Sequence, residues 1–138
     1  MIKAGAQTIA ELVAAAERRI ETVPAVDVIG WENKSDTVFV DVRDIRERQR
    51  EGMIPGSFHC PRGMLEFWLD PASPYAKSIF AADVRFIFHC AKDWRSLLAT
   101  ERATDMGLRP AASLVGGFEA WRAAGGAVEQ LTPRQPGG

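Results

Sequence analysis

The chain carries one cysteine placed where a thiol can act as a nucleophile. Cys90 sits in Phe88-His89-Cys90-Ala91-Lys92-Asp93-Trp94-Arg95-Ser96, behind the hydrophobic run Val84 to Phe88 and ahead of a helix-like stretch from Arg95 to Met106. This pattern predicts a cysteine at the C-terminal end of a strand, in a short turn that feeds a helix. A helix N-terminus offers unpaired backbone N–H groups and a partial positive charge. An anion is stabilised there, and a thiol there ionises more readily. A thiolate beside an anion pocket is equipped to attack an anionic substrate.

The elements around this turn must hold it. Residues 8 to 21 predict a helix, from the spacing of Ile9, Leu12, Val13, Ala16 and Ile20, with Thr8 and Glu11 as a capping box. Thr22-Val23 predicts a short edge strand stopped by Pro24, and residues 25 to 33 a short helix. Thr37 to Val42 is a β-branched and aromatic run, the pattern of a buried strand. Residues 44 to 51 predict a short charged helix, and the run Arg43 to Glu51 reads as a solvated face. Ser57 to Cys60 predicts a third strand and Gly63 to Leu69 a helix. Ala112 to Val115 predicts the last strand, turning at Gly116-Gly117 into helix Phe118 to Ala124.

Strands separated by helices predict an α/β domain with a mainly parallel central sheet flanked by helices on both faces. Such sheets bind ligands beyond the C-terminal ends of their strands. Asp41 to Asp44, Cys90 to Arg95 and Val115 to Gly117 all fall at that end. The expected division is an N-terminal helical extension over 1–21, the domain over 22–130 and a disordered tail over 131–138.

The bulk properties narrow the class. With 138 residues, 46% hydrophobic and 25% charged, one domain with one core is expected. A formal net charge of -1 gives no broad basic field, so no nucleic-acid partner is expected. No apolar run is long enough to span a bilayer, and Met1-Ile2-Lys3-Ala4-Gly5 lacks the apolar block of a signal peptide. A cytoplasmic location without membrane contact is the expectation. The second cysteine, Cys60, reads as packing at a strand end rather than as a resolving thiol. His59 and His89 each precede a cysteine, but adjacent strand residues point to opposite faces. Neither a metal nor an organic cofactor is expected, and both histidines are read as structural.

Taken together, these segments resemble a single-domain rhodanese, a sulfurtransferase fold. Val40-Asp41-Val42-Arg43-Asp44 with Glu47 resembles the family's first signature, and Ile54-Pro55-Gly56-Ser57 its I-P-G-A turn. His89-Cys90-Ala91-Lys92-Asp93-Trp94-Arg95-Ser96 resembles its active-site loop. Leu114-Val115-Gly116-Gly117-Phe118-Glu119-Ala120-Trp121 resembles its G-G-x-x-A-W signature. The motifs stand in the family's order and span most of residues 37 to 128. The resemblance implies a rhodanese-type sulfurtransferase. Cys90 takes sulfane sulfur from a donor such as thiosulfate, becomes a persulfide, and passes the sulfur to cyanide or a thiol. A sulfur-relay protein is a candidate partner. Ala91, Lys92, Asp93, Trp94, Arg95 and Ser96 are the expected substrate-binding residues, with the amides of 91–96 cradling the persulfide charge. Lys92 is expected to attract an anionic donor and Trp94 to wall the pocket. Arg95 is expected to pair with a substrate oxyanion or with an acidic group that braces the loop.

Loop length separates this reaction from its rivals. Four residues lie between Cys90 and Arg95, whereas cell-cycle dual-specificity and tyrosine phosphatases resemble this layout with five. A shorter loop suits one sulfur atom better than a tetrahedral phosphate. A phosphatase or arsenate reductase on the same scaffold, and a weakly catalytic binding module, are the alternatives. Asp93 departs from relatives that carry glycine at its position. Glycine serves where φ is positive, and Asp tolerates that geometry better than most residues. Either Asp93 points to solvent and pairs with Lys92, or the preferred donor is not a small dianion.

Overall fold

Five short strands form one sheet in the computed structural model, which describes residues 1–132. They are β1 (Glu21–Pro24), β2 (Thr37–Asp41), β3 (Phe58–His59), β4 (Arg85–His89) and β5 (Ala111–Val115). Their spatial order is β1-β5-β4-β2-β3, and every neighbouring pair is parallel. The connecting helices are α1 (Ile9–Arg19), α2 (Ala25–Val28), α3 (Ile45–Glu51), α4 (Leu65–Leu69), α5 (Trp94–Asp105) and α6 (Gly117–Ala123). Most of the expected tail, residues 133–138, lies outside the described residues.

Strand alternation builds two apolar layers. On one face Val40, Phe86, Phe88 and Cys90 pack with Leu65 of α4 and with Ala99 and Ala103 of α5. On the other, Phe39, Ile87 and Leu114 pack with Val28 of α2 and with Phe118 and Trp121 of α6. The sheet is therefore covered on both faces, and each large side chain taken fully from water contributes about 1.5–3 kcal/mol. α1 lies outside this sandwich, against α5. Val13 and Ala16 meet Leu97, and Arg19 pairs with Glu101 and Asp105, each at 2.7 Å. Thr8 Oγ1 accepts from the Glu11 amide at 3.1 Å, one of the two bonds of the expected capping box. The helix expected over 25–33 is broken. Gly30 at φ 92° ends α2, and a separate 3-10 turn, Trp31–Asn33, follows.

The face expected to be solvated, Arg43 to Glu51, holds two buried arginines. Asp41 at the end of β2 is fully buried and gathers them. Arg43 grips its carboxylate with Nε at 3.0 Å and Nη2 at 2.9 Å, and Arg48 reaches it at 3.0 Å from α3. The Arg43 backbone N–H also donates to Asp41 Oδ1. Arg43 further donates to the Gly52 carbonyl at 2.7 Å and lies 4.3 Å over the Phe118 ring. Its Nη1 also lies 3.6 Å from Glu51. Nε2 of His89, the residue before Cys90, stands 3.6 Å from Asp41. His59 Nε2 lies 2.8 Å from the Arg43 carbonyl, which gives that ring a structural role.

Burial alone would raise the Asp41 carboxyl, but His89 and Arg43 beside it hold it well below the usual carboxylate range. A carboxyl held down in the folded state stabilises the fold above its unfolded pKa, about 3.9, and that stability is lost as pH falls. Asp41→Asn leaves Arg43 and Arg48 buried without their countercharge, an expected cost of about 3–5 kcal/mol at pH 7. The loss of stability on acidification below about pH 4 should also be shallower in the variant, by up to about 1.4 kcal/mol per pH unit. Urea denaturation at pH 7, 4 and 3 measures both. An unchanged acid slope would remove Asp41 from this role.

Candidate active site

Cys90 follows the last residue of β4, and α5 begins at Trp94, so residues 90–93 turn from strand to helix. The loop lines a cavity of about 460 Å³ walled by Cys90, Ala91, Lys92, Asp93, Trp94 and Arg95. Cys90 itself is only 2% exposed. Among the described residues, the amide N–H groups of residues 91–96 donate no intramolecular hydrogen bond. These successive donors at the mouth of α5 are the equipment of an anion cradle.

The second glycine of the Gly116-Gly117 pair lets the loop close. The amides of Phe118 and Glu119 donate to the carbonyls of Cys90 (2.8 Å) and Ala91 (3.1 Å). These bonds turn the loop carbonyls toward α6. Gly117 has φ 58°, and a Cβ there would fall inside contact distance of the Cys90 and Lys92 carbonyl oxygens. Only glycine meets both demands.

Asp93 has a different job from the one its type suggests. Its φ is -131°, and no non-glycine residue among those described has positive φ, so the position does not need left-handed backbone. Nor does its carboxylate pair with Lys92. Oδ1 accepts the Gly116 amide at 2.7 Å, tying the cysteine loop to the turn after β5.

The other expected site residues separate into wall and support. Lys92 and Trp94 are exposed at the cavity, Trp94 by 55%, and Ala91 is half-buried. Arg95 is committed to protein, through a two-pronged ion pair with Glu47 of α3 at 2.7 and 2.9 Å. That pair holds Glu47 below the usual carboxylate range, with burial opposing and the Asp44 backbone assisting. Ser96 is off the cavity wall: it is fully buried behind Cys90, its Oγ 3.7 Å from Sγ. Sequence reasoning missed Ser113 of β5, whose Oγ lies 2.9 Å from that of Ser96. Nothing in its Ala-Ala-Ser-Leu-Val setting signals it. Phe118 and Trp121 are core residues, while Phe67 is exposed and stacks edge-on with Tyr75.

Cys60 is placed against a redox role. Asp41 pairs in register with both His59 and His89, so the next position sets Val42 between Cys60 and Cys90. Two inter-strand steps separate the cysteine backbones by roughly 10 Å, beyond the about 4.4–6.8 Å a disulfide bridges. Burial also pushes the Cys60 thiol up to about 12, against a small opposing effect of Arg62.

An α/β sandwich with a cysteine loop closed by a double-glycine turn defines the class, and the comparisons agree. The chain belongs to the rhodanese-like domain family, whose model matches residues 25–124. Among solved structures it resembles a Rhodopseudomonas palustris protein of unknown function, described as a possible tyrosine phosphatase. Identity is 49% and TM-score 0.87, covering 94% of this chain and 99% of that one. It also resembles a thiosulfate sulfurtransferase from Pseudomonas aeruginosa, at 26% identity and TM-score 0.72, covering 91% of this chain and 23% of that chain. The human single-domain sulfurtransferase TSTD1 matches at 26% identity and TM-score 0.61, over 74% of this chain and 95% of that one. No curated protein matches. Among the described residues no helix is long and apolar enough to cross a membrane.

Asp93→Gly removes the acceptor of the Gly116 amide, whereas Asp93→Asn keeps an oxygen there. Hydrogen exchange at Gly116 should therefore quicken about tenfold or more in the glycine variant, the worth of a bond to a charged group, and less in the asparagine variant. Amide exchange followed by NMR reads this directly. Equal protection in all three proteins would mean the clamp does not form in solution.

Proposed function

We infer that this protein is a rhodanese-type sulfurtransferase that carries sulfur as a Cys90 persulfide. The observation that carries this reading is a buried thiol at the head of a strand-to-helix turn, followed by six successive amides that, among the described residues, have no intramolecular partner. The first step joins the Cys90 thiolate to the outer sulfur of a sulfane donor. An S–S bond forms, the donor's own S–S bond breaks, and its electron pair leaves on sulfite or a thiolate. The negative charge then rests on the outer sulfur, where the amides of 91–96 accept it without reorganising. In the second step a thiol or cyanide acceptor attacks that outer sulfur, and Cys90 Sγ leaves with the bonding pair. No step needs a metal or an organic cofactor.

The cavity charges bear on the donor. Lys92 is the cation at the rim, Arg95 is neutralised by Glu47, and Asp93 brings one negative charge turned toward Gly116. The balance is near zero, and the exposed indole of Trp94 adds an apolar wall. Such a mouth favours an organic persulfide, on a small thiol or on a relay protein, over a small dianion such as thiosulfate.

Phosphate-ester hydrolysis is the second reading, favoured by the description of the Rhodopseudomonas relative. The loop weighs against it. Arg95 is held by Glu47 rather than free for an oxyanion. Among the described residues Asp93 is the one carboxylate on the cavity wall, and it accepts from Gly116 instead of standing ready to protonate a leaving group.

Intact-mass analysis after incubation with an organic persulfide, or with thiosulfate, tests the proposal. One added sulfur is expected, removed by cyanide and absent in Cys90→Ala. Loading by the organic donor should exceed loading by thiosulfate at equal concentration. A protein that gains no sulfur from either donor but hydrolyses an aryl phosphate would transfer the assignment to the second reading.

A further inference from the structure

Beside the thiol and off the cavity wall, three hydroxyl and carbonyl groups form a hydrogen-bonding set. Ser96 Oγ stands 3.0 Å from the Asp93 carbonyl, 2.9 Å from Ser113 Oγ and 3.7 Å from Cys90 Sγ. Ser96 is fully buried and Ser113 is 1% exposed, which leaves the protein groups around them as their partners among the described residues. Among the described residues, the only hydrogen bond of the Ser113 hydroxyl is the one to Ser96.

Proton arithmetic assigns the donors. A carbonyl only accepts, so Ser96 donates its one hydrogen to Asp93. Its oxygen then has two lone pairs left, one for the Ser113 O–H and one for the Cys90 S–H. With a thiol at Cys90 every group is satisfied. Once the thiol ionises, Sγ can only accept, and a Ser96 lone pair aimed at it is repulsive. The arrangement is repaired if Ser96 turns its hydrogen from the Asp93 carbonyl to Sγ while Ser113 continues to donate to Ser96. No proton changes owner in this turn.

We propose that Ser113 is a positioning residue, which acts through Ser96 to hold a rotating hydroxyl that follows the charge on Cys90 Sγ. Ser113 fills the oxygen face of Ser96 in both states, and this confines the Ser96 hydrogen to two directions: the Asp93 carbonyl or the sulfur. Asp93 belongs to the same loop whose carboxylate clamps Gly116, so the charge on Sγ is coupled to the hydrogen bonding of the loop itself. In a transfer cycle Sγ is anionic twice, as nucleophile and as leaving group, and neutral while the charge sits on the outer sulfur. The hydroxyl would turn toward sulfur at both ends of the cycle; in between, Sγ is neutral and carries no hydrogen, so it is a weak acceptor and the Asp93 carbonyl takes the Ser96 hydrogen instead. The cycle rests on the sulfur-transfer reading; the turn on ionisation does not.

The test uses iodoacetamide, which needs only the thiolate. Alkylation of Cys90 is followed by intact mass from pH 5 to 10, with Cys60→Ser as the common background. Ser96→Ala should move the profile to higher pH by about one unit, the size of one hydrogen bond to a charged sulfur. Ser113→Val should move it the same way by less, and Ser113→Thr, of the same shape but with a hydroxyl, should leave it in place. Thermal melts identify any variant that fails to fold. The Thr and Val pair has equal bulk, so packing alone moves both alike. Profiles that superimpose for Ser96→Ala and the parent, or an equal shift for Ser113→Thr and Ser113→Val, would overturn the proposal. If the profiles behave as expected while no donor loads sulfur, the hydroxyl turn stands and the transfer reading falls.

Discussion

A carboxylate with no access to water, Asp41, ties together the parts that define the site. It closes β2, and its two arginines come from the following turn and from α3. Through them it reaches the Gly52 carbonyl, Ser57 beside β3, and the Phe118 ring of α6. His89, the last residue of β4, faces it. Removing such a charge from water costs several kcal/mol unless partners surround it. The geometry of these partners is therefore tightly constrained, and Cys90 follows directly from one of them. The thiol loop inherits its position from this ion cluster on one side and from the Gly116-Gly117 turn on the other.

The loop itself works by withholding partners. The carbonyls of Cys90 and Ala91 are consumed by α6, that of Asp93 by Leu97 and Ser96, and the loop's arginine by α3. Its one carboxylate is consumed by the Gly116 amide. The successive amides, one lysine and an indole remain for a substrate. A cavity assembled this way offers backbone donors, one cation and one aromatic face, and little else.

Much of this was written in the local sequence. The five strands and the Cys90 turn follow from runs of β-branched and aromatic residues punctuated by Gly and Pro. The loop spacing to Arg95 was likewise visible. What escaped was long-range. α3 reads Ile-Arg-Glu-Arg-Gln-Arg-Glu, and its one apolar residue, Ile45, is half exposed. No periodicity can say that Arg48 is the buried one, because the reason is a carboxylate seven residues upstream. Asp93 is similar: its acceptor role depends on Gly116, twenty-three residues further along, so its type suggested repulsion of an anion instead of a clamp. The helix over 25–33 failed for a local reason, a glycine at positive φ that the composition permitted but did not demand.

The two ends of the sheet have a consequence for how a macromolecule can approach. One outer strand, β3, has two residues, and the other, β1, has four and finishes at Pro24, which has no N–H to offer. Neither margin presents a run of free backbone groups long enough to template an added strand. Under the proposed sulfur transfer, a protein partner of Cys90 would have to present its thiol end-on, over the tips of the strands. Its identity would be read by the shape and charge of that rim, with no contribution from backbone pairing.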